Sequence, residues 1–538
     1  MRSVADHIVR ETPRWTSDTA SGVSPQPVRP AAWRMTTRAT AWRLFFTCWI
    51  VYGIHFATDV VREHYPAVAL GDRFSFRLDE YGGLHPDLFE KPGYGWHIGN
   101  NPGISMLAAI PYALSRPVVD RIVARVTASR RASGRTDPPS FDSPRARSPG
   151  FFAEAWRRNL DVKLGLAALV THSAFMAPGS ALGVVLVFFA LRWVVRSDRT
   201  ALLLALLYAF GTPVFFRTGF LNHNLMLGHI AFAGMLGVWN PAAREWPSAG
   251  ARSVLAGLAG GAAILFDYSG VIFLLGLFAY VLLRRFRAAD AAAAVRHGAL
   301  YVLGTLGPLL LLWLYQWRSF GNPFLPGQHW MPPVQWIDEG YQGYGLPQLD
   351  LLFSLAFDPR FGLFVTAPAL LLAFALPFLR QRMPRLPWLE LSACLLLFFA
   401  LWIFFAGNNY SRLQWNTGVR YMTPIIPFLF LAAAIVLARL PRGVIVAITA
   451  LSVTINWCMA MSRDGFATLG VLEPVVRVFT GGFQLPALAT VSRMEMLRSW
   501  VPEYVSPLPM FVLTGFVLWT LWWGGLRPAR AVASGGEA

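Results

Sequence analysis

The sequence predicts an all-α polytopic membrane protein, and three observations carry that prediction. Of its 538 residues 55% are hydrophobic and only 14% are charged, well under the roughly 25% charged of a soluble domain. Apolar runs of spanning length recur along the chain, about 12 in all at roughly 17 to 25 residues each. Arginines gather in short clusters between those runs, as a positive-inside bias produces. The net charge of +18 therefore follows from membrane topology, and no single basic face points to nucleic acid. An anionic lipid substrate would account for any remaining excess. Cys48, Cys394 and Cys458 fall inside apolar runs, without the spacing of a zinc site or a disulfide framework.

Residues 1–43 form a polar, Pro-containing basic tail, with Arg29, Arg34, Arg38 and Arg43 ahead of the first apolar run. A cleaved signal peptide would begin its apolar region sooner. The tail is thus expected in the cytoplasm, leading into an uncleaved first span over residues 44–61 and a membrane domain that extends to residue 461. The first loop, residues 62–101, then emerges on the far side. The apolar piece 104–114 is too short to span and is expected to lie in the interface. Residues 115–163 form a variable loop rich in arginine: its charge suits the cytoplasm, while its place in the chain puts it outside. Further spans are expected at 165–191, 200–216, 225–239, 253–266, 269–283, 298–317, 361–379, 388–406, 421–438, 443–461 and 508–525.

Asp267-Tyr268 reads as the solvated tip of a short hairpin, because one unbroken span over 253–283 would put the later arginine clusters on the wrong side. Residues 462–538 add an outer loop, the last span and a short cytoplasmic tail. Both termini are expected in the cytoplasm. The preference for Arg over Lys and the high Ala content fit a GC-rich bacterial genome, and so a bacterial inner membrane.

Polar residues that the positive-inside bias does not explain collect on the outer side. Asp79 and Glu80 are adjacent carboxylates in the first loop, suited to act as a base or to hold a divalent metal, Mg or Mn; the rival reading is a helix cap or an ion pair with Arg77. His85 and Asp87 share that loop and would add ligands, or else are solvated. Asn222-His223-Asn224, following Arg217, offers hydrogen bonds to a polar substrate, or caps a span. Arg318, Arg360, Arg412 and Arg420 lie outside against the charge bias, and a guanidinium there suits phosphate; the alternative is an ion pair with Asp358, Asp350 or Glu339. Trp330, Trp336, Tyr341 and Tyr344 stand in a long Gly/Pro-rich outer loop and would stack on a substrate ring, or join an interface belt.

Four motifs occur in order: the loop from Asp79 to Asn101, Trp317–Phe324, Phe353–Phe364 with Asp358-Pro359-Arg360, and Trp415–Pro424 with Gly418-Val419-Arg420. The series resembles the GT-C superfamily of membrane glycosyltransferases, particularly bacterial relatives of the protein O-mannosyltransferases, over roughly residues 44–440. The resemblance implies transfer of a sugar from a polyprenyl-phosphate donor to a protein, glycan or lipid acceptor outside the cytoplasm. It also implies acidic residues in the first outer loop, here Asp79 and Glu80. A lysine is expected before the Pro-Gly of that loop, where this chain has Asn100-Asn101.

Such transfer needs a base for the acceptor hydroxyl and donors for the departing phosphate. Asp79 is expected as base, Glu80 as its partner and Arg420 as phosphate clamp. The alternatives are a lipid-linked sugar transporter or flippase, which only Asp267 favours, and an envelope polysaccharide polymerase or ligase.

Overall fold

The computed structural model describes residues 36–141, 148–195, 197–287, 291–333, 335, 338–341, 343–379, 386–412, 419–462, 470–494, 500–502 and 505–523. The tail up to residue 35, Trp336, residues 415–418 of the last motif and the C-terminal arginines lie outside the described residues. Among those described, the chain is helical apart from one two-stranded sheet.

Helix α1 (Thr37–Ile54) starts earlier than its apolar run because the Thr36 hydroxyl accepts from Ala39 N at 3.3 Å, a side-chain N-cap. It also ends earlier than residue 61. The chain turns at Thr58, whose φ of +57° is seldom adopted by a β-branched residue. Two contacts hold that turn: Thr58 Oγ1 to Thr490 Oγ1 at 2.6 Å, and Ala57 N to Gly219 O at 2.8 Å. Arg62 and Glu63 are thereby folded back over the span ends as α2 (His64–Arg73) begins.

An antiparallel hairpin follows, β1 (Leu88–Lys91) with β2 (Gly95–Ile98). Next comes α3 (Gly103–Ala132), a helix of 30 residues. The expected short interfacial piece at 104–114 is therefore only its first part. The basic stretch beyond it is rich in Ala and Arg, strong helix formers, and propagates the helix past Pro111 and Pro117. Helix α4 (Ser148–Arg157) returns to the first loop, where Arg158 Nη1 donates to Gly82 O at 2.8 Å. Arg130 and Asp161 form a paired contact at 2.9 and 2.6 Å.

The long α5 (Asp161–Val194) contains a π-turn at His172–Met176. Helices α6 (Asp198–Phe210), α7 (Val214–Thr218), α8 (His223–Trp239), α9 (Ala249–Phe266), α10 (Val271–Phe286) and α11 (Ala291–Phe320) follow. The break between α9 and α10 falls at Asp267, so the expected hairpin is present. After α12 (Leu349–Phe357), the expected span at 361–379 is not one α-helix. It divides into α13 (Leu363–Thr366), a 3-10 stretch (Pro368–Ala375) and α14 (Leu376–Leu379). Ala367, at φ −140° and ψ +71°, has left the helical region ahead of Pro368, as a residue before proline tends to do.

Helix α15 (Trp388–Ala406) falls on the expected residues. Then come α16 (Ile426–Leu437), α17 (Arg442–Met461), α18 (Leu472–Gly481), α19 (Pro486–Ser492) and α20 (Leu508–Trp523).

Six segments are long and apolar enough to cross a membrane: Asp161–Val194, Ala249–Phe266, Tyr268–Phe286, Ala291–Phe320, Trp388–Ala406 and Arg442–Met461. Pro368–Leu379, Thr423–Leu437 and Leu508–Trp523 are apolar but shorter. These lengths mark a multi-pass membrane protein. Every residue of α16 is buried, at the centre of the largest apolar cluster. By contrast α20 buries none, and is tied to α1 by Trp522 Nε1 donating to Thr47 Oγ1 at 2.9 Å.

Candidate functional site

One end of the bundle gathers the polar residues. Helices α1, α7, α9 and α11 finish there, while α8 and α10 start there. The first loop is bound to this end through Tyr315 Oη donating to Ile98 O at 2.9 Å and Ser105 Oγ donating to Glu63 O at 2.7 Å.

At its centre runs a chain of alternating charges drawn from three separate parts of the sequence. Asp267 Oδ2 lies 3.3 Å from His223 Nε2, and His223 Nδ1 lies 2.9 Å from Glu63 Oε1. Arg62 Nε donates to Glu63 Oε1 at 3.1 Å, and Arg62 Nη1 donates to Asp87 Oδ2 at 2.6 Å. Arg420 lies close enough to Asp87 to act on its charge. The Glu63 side chain is only 6% exposed, whereas Asp267 at 28% and Asp87 at 27% are open to solvent.

Local structure holds each member in place. Asn222, in extended conformation, accepts from Leu225 N at 3.1 Å and caps α8, so His223 is its first residue. Asp267 interrupts the α9–α10 pair by accepting from Ser269 N at 2.8 Å, as a capping aspartate does. Asp87 N donates to His85 Nδ1 at 3.1 Å, closing the turn that presents the Asp87 carboxylate to Arg62.

The electrostatics follow from burial set against pairing. Burial disfavours the Glu63 carboxylate, but Arg62 and His223 outweigh it and hold its pKa far below the usual range. Asp87 behaves likewise: burial opposes its charge, while Arg62 and His85 bring its pKa down. At Asp267 burial is again overcome, by His223 and Ser269, and the pKa falls to about 2. Burial pulls the His223 imidazolium down, yet its bonds to Asp267 and Glu63 raise its pKa above 6.5. The arrangement keeps two carboxylates ionised on either side of the imidazole and favours its charged form.

Arg217 is 1% exposed, donates from Nε to Val419 O at 2.7 Å, and rests between the rings of Phe216 and Phe220. Arg420 is near enough to repel it. Two amides add acceptors. Asn101 donates to Ile264 O, just before Asp267, while its Oδ1 is buried without a partner among the described residues; Asn224 Oδ1, next to His223, is likewise buried and unpartnered among them. Buried amide oxygens of this kind ordinarily take a hydrogen bond from water or ligand.

The remaining sequence candidates are placed elsewhere. Asp79 opens a 3-10 turn, is 49% exposed, faces Arg77 Nη2 at 2.9 Å and accepts from Trp96 N at 2.9 Å. Its carboxylate covers Gly95, where φ is +89° and a Cβ would stand 2.4 Å from Asp79 Oδ1. Glu80 pairs with Arg73 at 3.0 Å. The two carboxylates thus turn to different guanidinia, an arrangement that does not fit a shared metal. Among the described residues no group of three or more His, Cys, Asp or Glu is set to hold one.

Arg360 pairs with Asp358 at 2.9 Å. Arg412 reaches Asp350 Oδ2 at 2.5 Å and Gln348 Oε1 at 2.6 Å. These are the ion pairs considered as alternatives for both arginines. Arg318 is exposed in the last turn of α11, and Asn100 is half-buried ahead of α3. Tyr341 and Tyr344 bridge to one another, and Tyr344 also to Asn408.

Two residues of this end, Arg62 and Glu63, have no role in the sequence reading: two charges set directly against the end of an apolar run read as an ordinary boundary pair. Asp267 reads from the sequence as a solvated tip; its contact with His223 corrects that. A third residue without a role in that reading, Lys91, precedes Pro92-Gly93, an earlier Pro-Gly of the first loop than the one after Asn100-Asn101. Its Nζ donates to Phe320 O and sits 3.5 Å over Trp330 and 4.5 Å over Tyr94.

Comparison with protein-family models, curated proteins and solved structures finds no match to this chain.

Proposed function

We propose that this protein is an integral membrane glycosyltransferase of GT-C type, moving a sugar from a polyprenyl-phosphate donor to an acceptor hydroxyl at the outer membrane face. The observation that carries the reading is the Asp267–His223–Glu63 arrangement at one end of the spans, with Arg62, Asp87, Arg217 and Arg420 beside it. In this reading about 12 apolar segments cross the bilayer, and both termini are cytoplasmic.

The chemistry assigns a role to each group. The bond from the sugar's anomeric carbon to the donor phosphate breaks, leaving its electron pair on phosphate, and a bond to the acceptor oxygen forms. Asp267, ionised and reachable, offsets the positive charge developing on the sugar and takes the acceptor's proton. His223 and Glu63 fix the position of that carboxylate. Arg420 faces the departing phosphate, and the buried Arg217 behind it adds positive charge. No step is routed through a metal. Asp79, the base expected from the sequence, is the rival for the Asp267 role.

The flippase reading draws on one observation, the broken segment from Leu363 to Leu379, since transporters often place interrupted helices near their sites. Purified protein given radiolabelled polyprenyl-phosphate sugars separates the readings. Transfer that collapses in Asp267→Asn and persists in Asp79→Asn supports the proposal. Loss in Asp79→Asn alone moves the base to the first loop. Donor binding without transfer, under every acceptor tried, favours the flippase.

A further inference from the structure

The opposite end of the bundle carries a second constellation that the proposed activity does not use. Arg252 lies in the first turn of α9, Arg284 and Arg285 in the last turn of α10, and Arg296 near the start of α11. These three helices pack together, and Ser253 Oγ meets His297 Nδ1 at 2.8 Å between α9 and α11. Two of the four guanidinia are anchored. Arg284 pairs with the buried Glu390 and donates to Trp239 O at 2.7 Å. Arg252 donates through Nη1 to Arg244 O at 2.9 Å and also to Pro247 O.

Arg285 differs. The charged groups that act on it are Arg252, Arg284 and Arg296, all of its own sign. His297 faces three of the same guanidinia, Arg285, Arg296 and Arg252. Both Arg285 Nε and Arg252 Nε are buried donors with no acceptor among the described residues. A positive-inside bias explains why arginines lie at this end, but not why they converge. Solvated guanidinia of like charge splay apart, and a buried donor without an acceptor carries a desolvation cost.

What would satisfy them is an anion with several acceptor oxygens in a planar, forked approach, the geometry of phosphate. The surroundings select its source. Trp246, Leu255, Leu283, Phe286 and Val295 are exposed apolar side chains around the cluster. Trp246 precedes α9 and the other four lie toward helix ends, at the boundary of the spans, where acyl chains lie.

We infer that Arg252, Arg285 and Arg296 form a binding site for the headgroup phosphate of an anionic phospholipid, whose acyl chains run along the exposed apolar faces of α9, α10 and α11. The site is independent of the glycosyltransferase reading.

The test uses the full chain in detergent, with retention of phosphatidylglycerol and phosphatidylcholine followed by native mass spectrometry. Wild type is expected to retain the anionic lipid preferentially. The triple variant Arg252→Gln/Arg285→Gln/Arg296→Gln should lose on the order of a hundredfold, at roughly fivefold per guanidinium removed. Arg285→Gln alone removes no hydrogen bond among the described residues, so it is the variant to use if the triple one fails to fold; it should lose about fivefold. Arg439→Gln/Arg442→Gln, a basic pair ahead of α17, controls for general surface charge and should retain the anionic lipid as wild type does. Equal retention by wild type and Arg285→Gln would overturn the site, as would an equal loss in the control. Thermal stabilisation by inorganic phosphate that matches stabilisation by phosphatidylglycerol would overturn its assignment to lipid.

Discussion

Two groups of acids stand at the same end of this molecule and are treated in opposite ways by the fold. Asp79 and Glu80 are adjacent in sequence, exposed, and each paired with a nearby arginine, Arg77 and Arg73. Glu63 and Asp267 are far apart in sequence, yet the fold draws both onto the two nitrogens of His223. The first pair resembles a catalytic motif when read as letters. The second has the physical properties of a site: restricted solvent, opposed charges held at hydrogen-bond distance, and titration moved away from ordinary values. The difference teaches that proximity in sequence says little about a carboxylate's work until its burial and its partner are known.

The largest expected effects come from breaking the buried group. Glu63→Gln leaves His223 and Arg62 facing a neutral amide, and loss of one member of a buried ion network costs about 3–5 kcal/mol. Thermal unfolding in detergent should show that loss, and lipid-linked sugar transfer should fall with it. An unfolding curve unchanged from wild type would remove Glu63 from the network. Asp267→Asn sharpens the comparison, because its side chain is more exposed and its loss should spare folding more than Glu63→Gln does. Transfer is expected to drop by roughly 10²- to 10⁴-fold, the usual contribution of a positioned acid–base group. Sugar-transfer rates at matched folded concentration are the check.

The pH dependence of stability gives the next contrast. Glu63 and Asp267 have lowered pKa values in the folded protein. Their stabilisation is complete above the ordinary carboxylate range and is lost as pH falls through it toward about 2, the folded value for Asp267. His223 has a raised pKa. Its stabilisation is complete below about 6.5 and is lost as pH rises through the folded value. Stability owed to this group therefore peaks in mildly acid solution and declines on both sides. His223→Asn should remove the alkaline decline selectively. A variant whose melting temperature falls with alkali as steeply as wild type would place the titrating group elsewhere.

Much of the helical layout is legible in the sequence because apolar run length is a local property. Trp388–Ala406 and the break at Asp267 follow from hydropathy and charge position alone. Helix limits are less legible: the start of α1 is set by the Thr36 cap, and its end by contacts to Gly219 and Thr490 that no local pattern encodes. The division of Leu363–Leu379 has a signal in Pro368 and Pro377, which hydropathy averages away. Within the site, His223, Asp87, Arg217 and Arg420 stand out by type and placement. Glu63 does not, because its importance arises from a partner on another helix. Asp267 is visible as an acid between spans, but its exposure depends on what packs over the hairpin tip.

The smallest expected effect comes from the exposed pair, and it bears most directly on the choice between the two groups. Asp79 is about half exposed and its ion pair is short-range, so Asp79→Asn should change stability by only about 0–1 kcal/mol. The asparagine keeps an oxygen for Trp96 N, so the hairpin at Gly95 need not move. If Asp267 is the proton acceptor, transfer in Asp79→Asn should stay within about threefold of wild type, far from the loss of a positioned base. A collapse of transfer in this variant, with stability unchanged, could not be attributed to unfolding. It would mean that a solvent-facing carboxylate does the chemistry, and that the buried Glu63–His223–Asp267 arrangement serves to hold the loop against the spans.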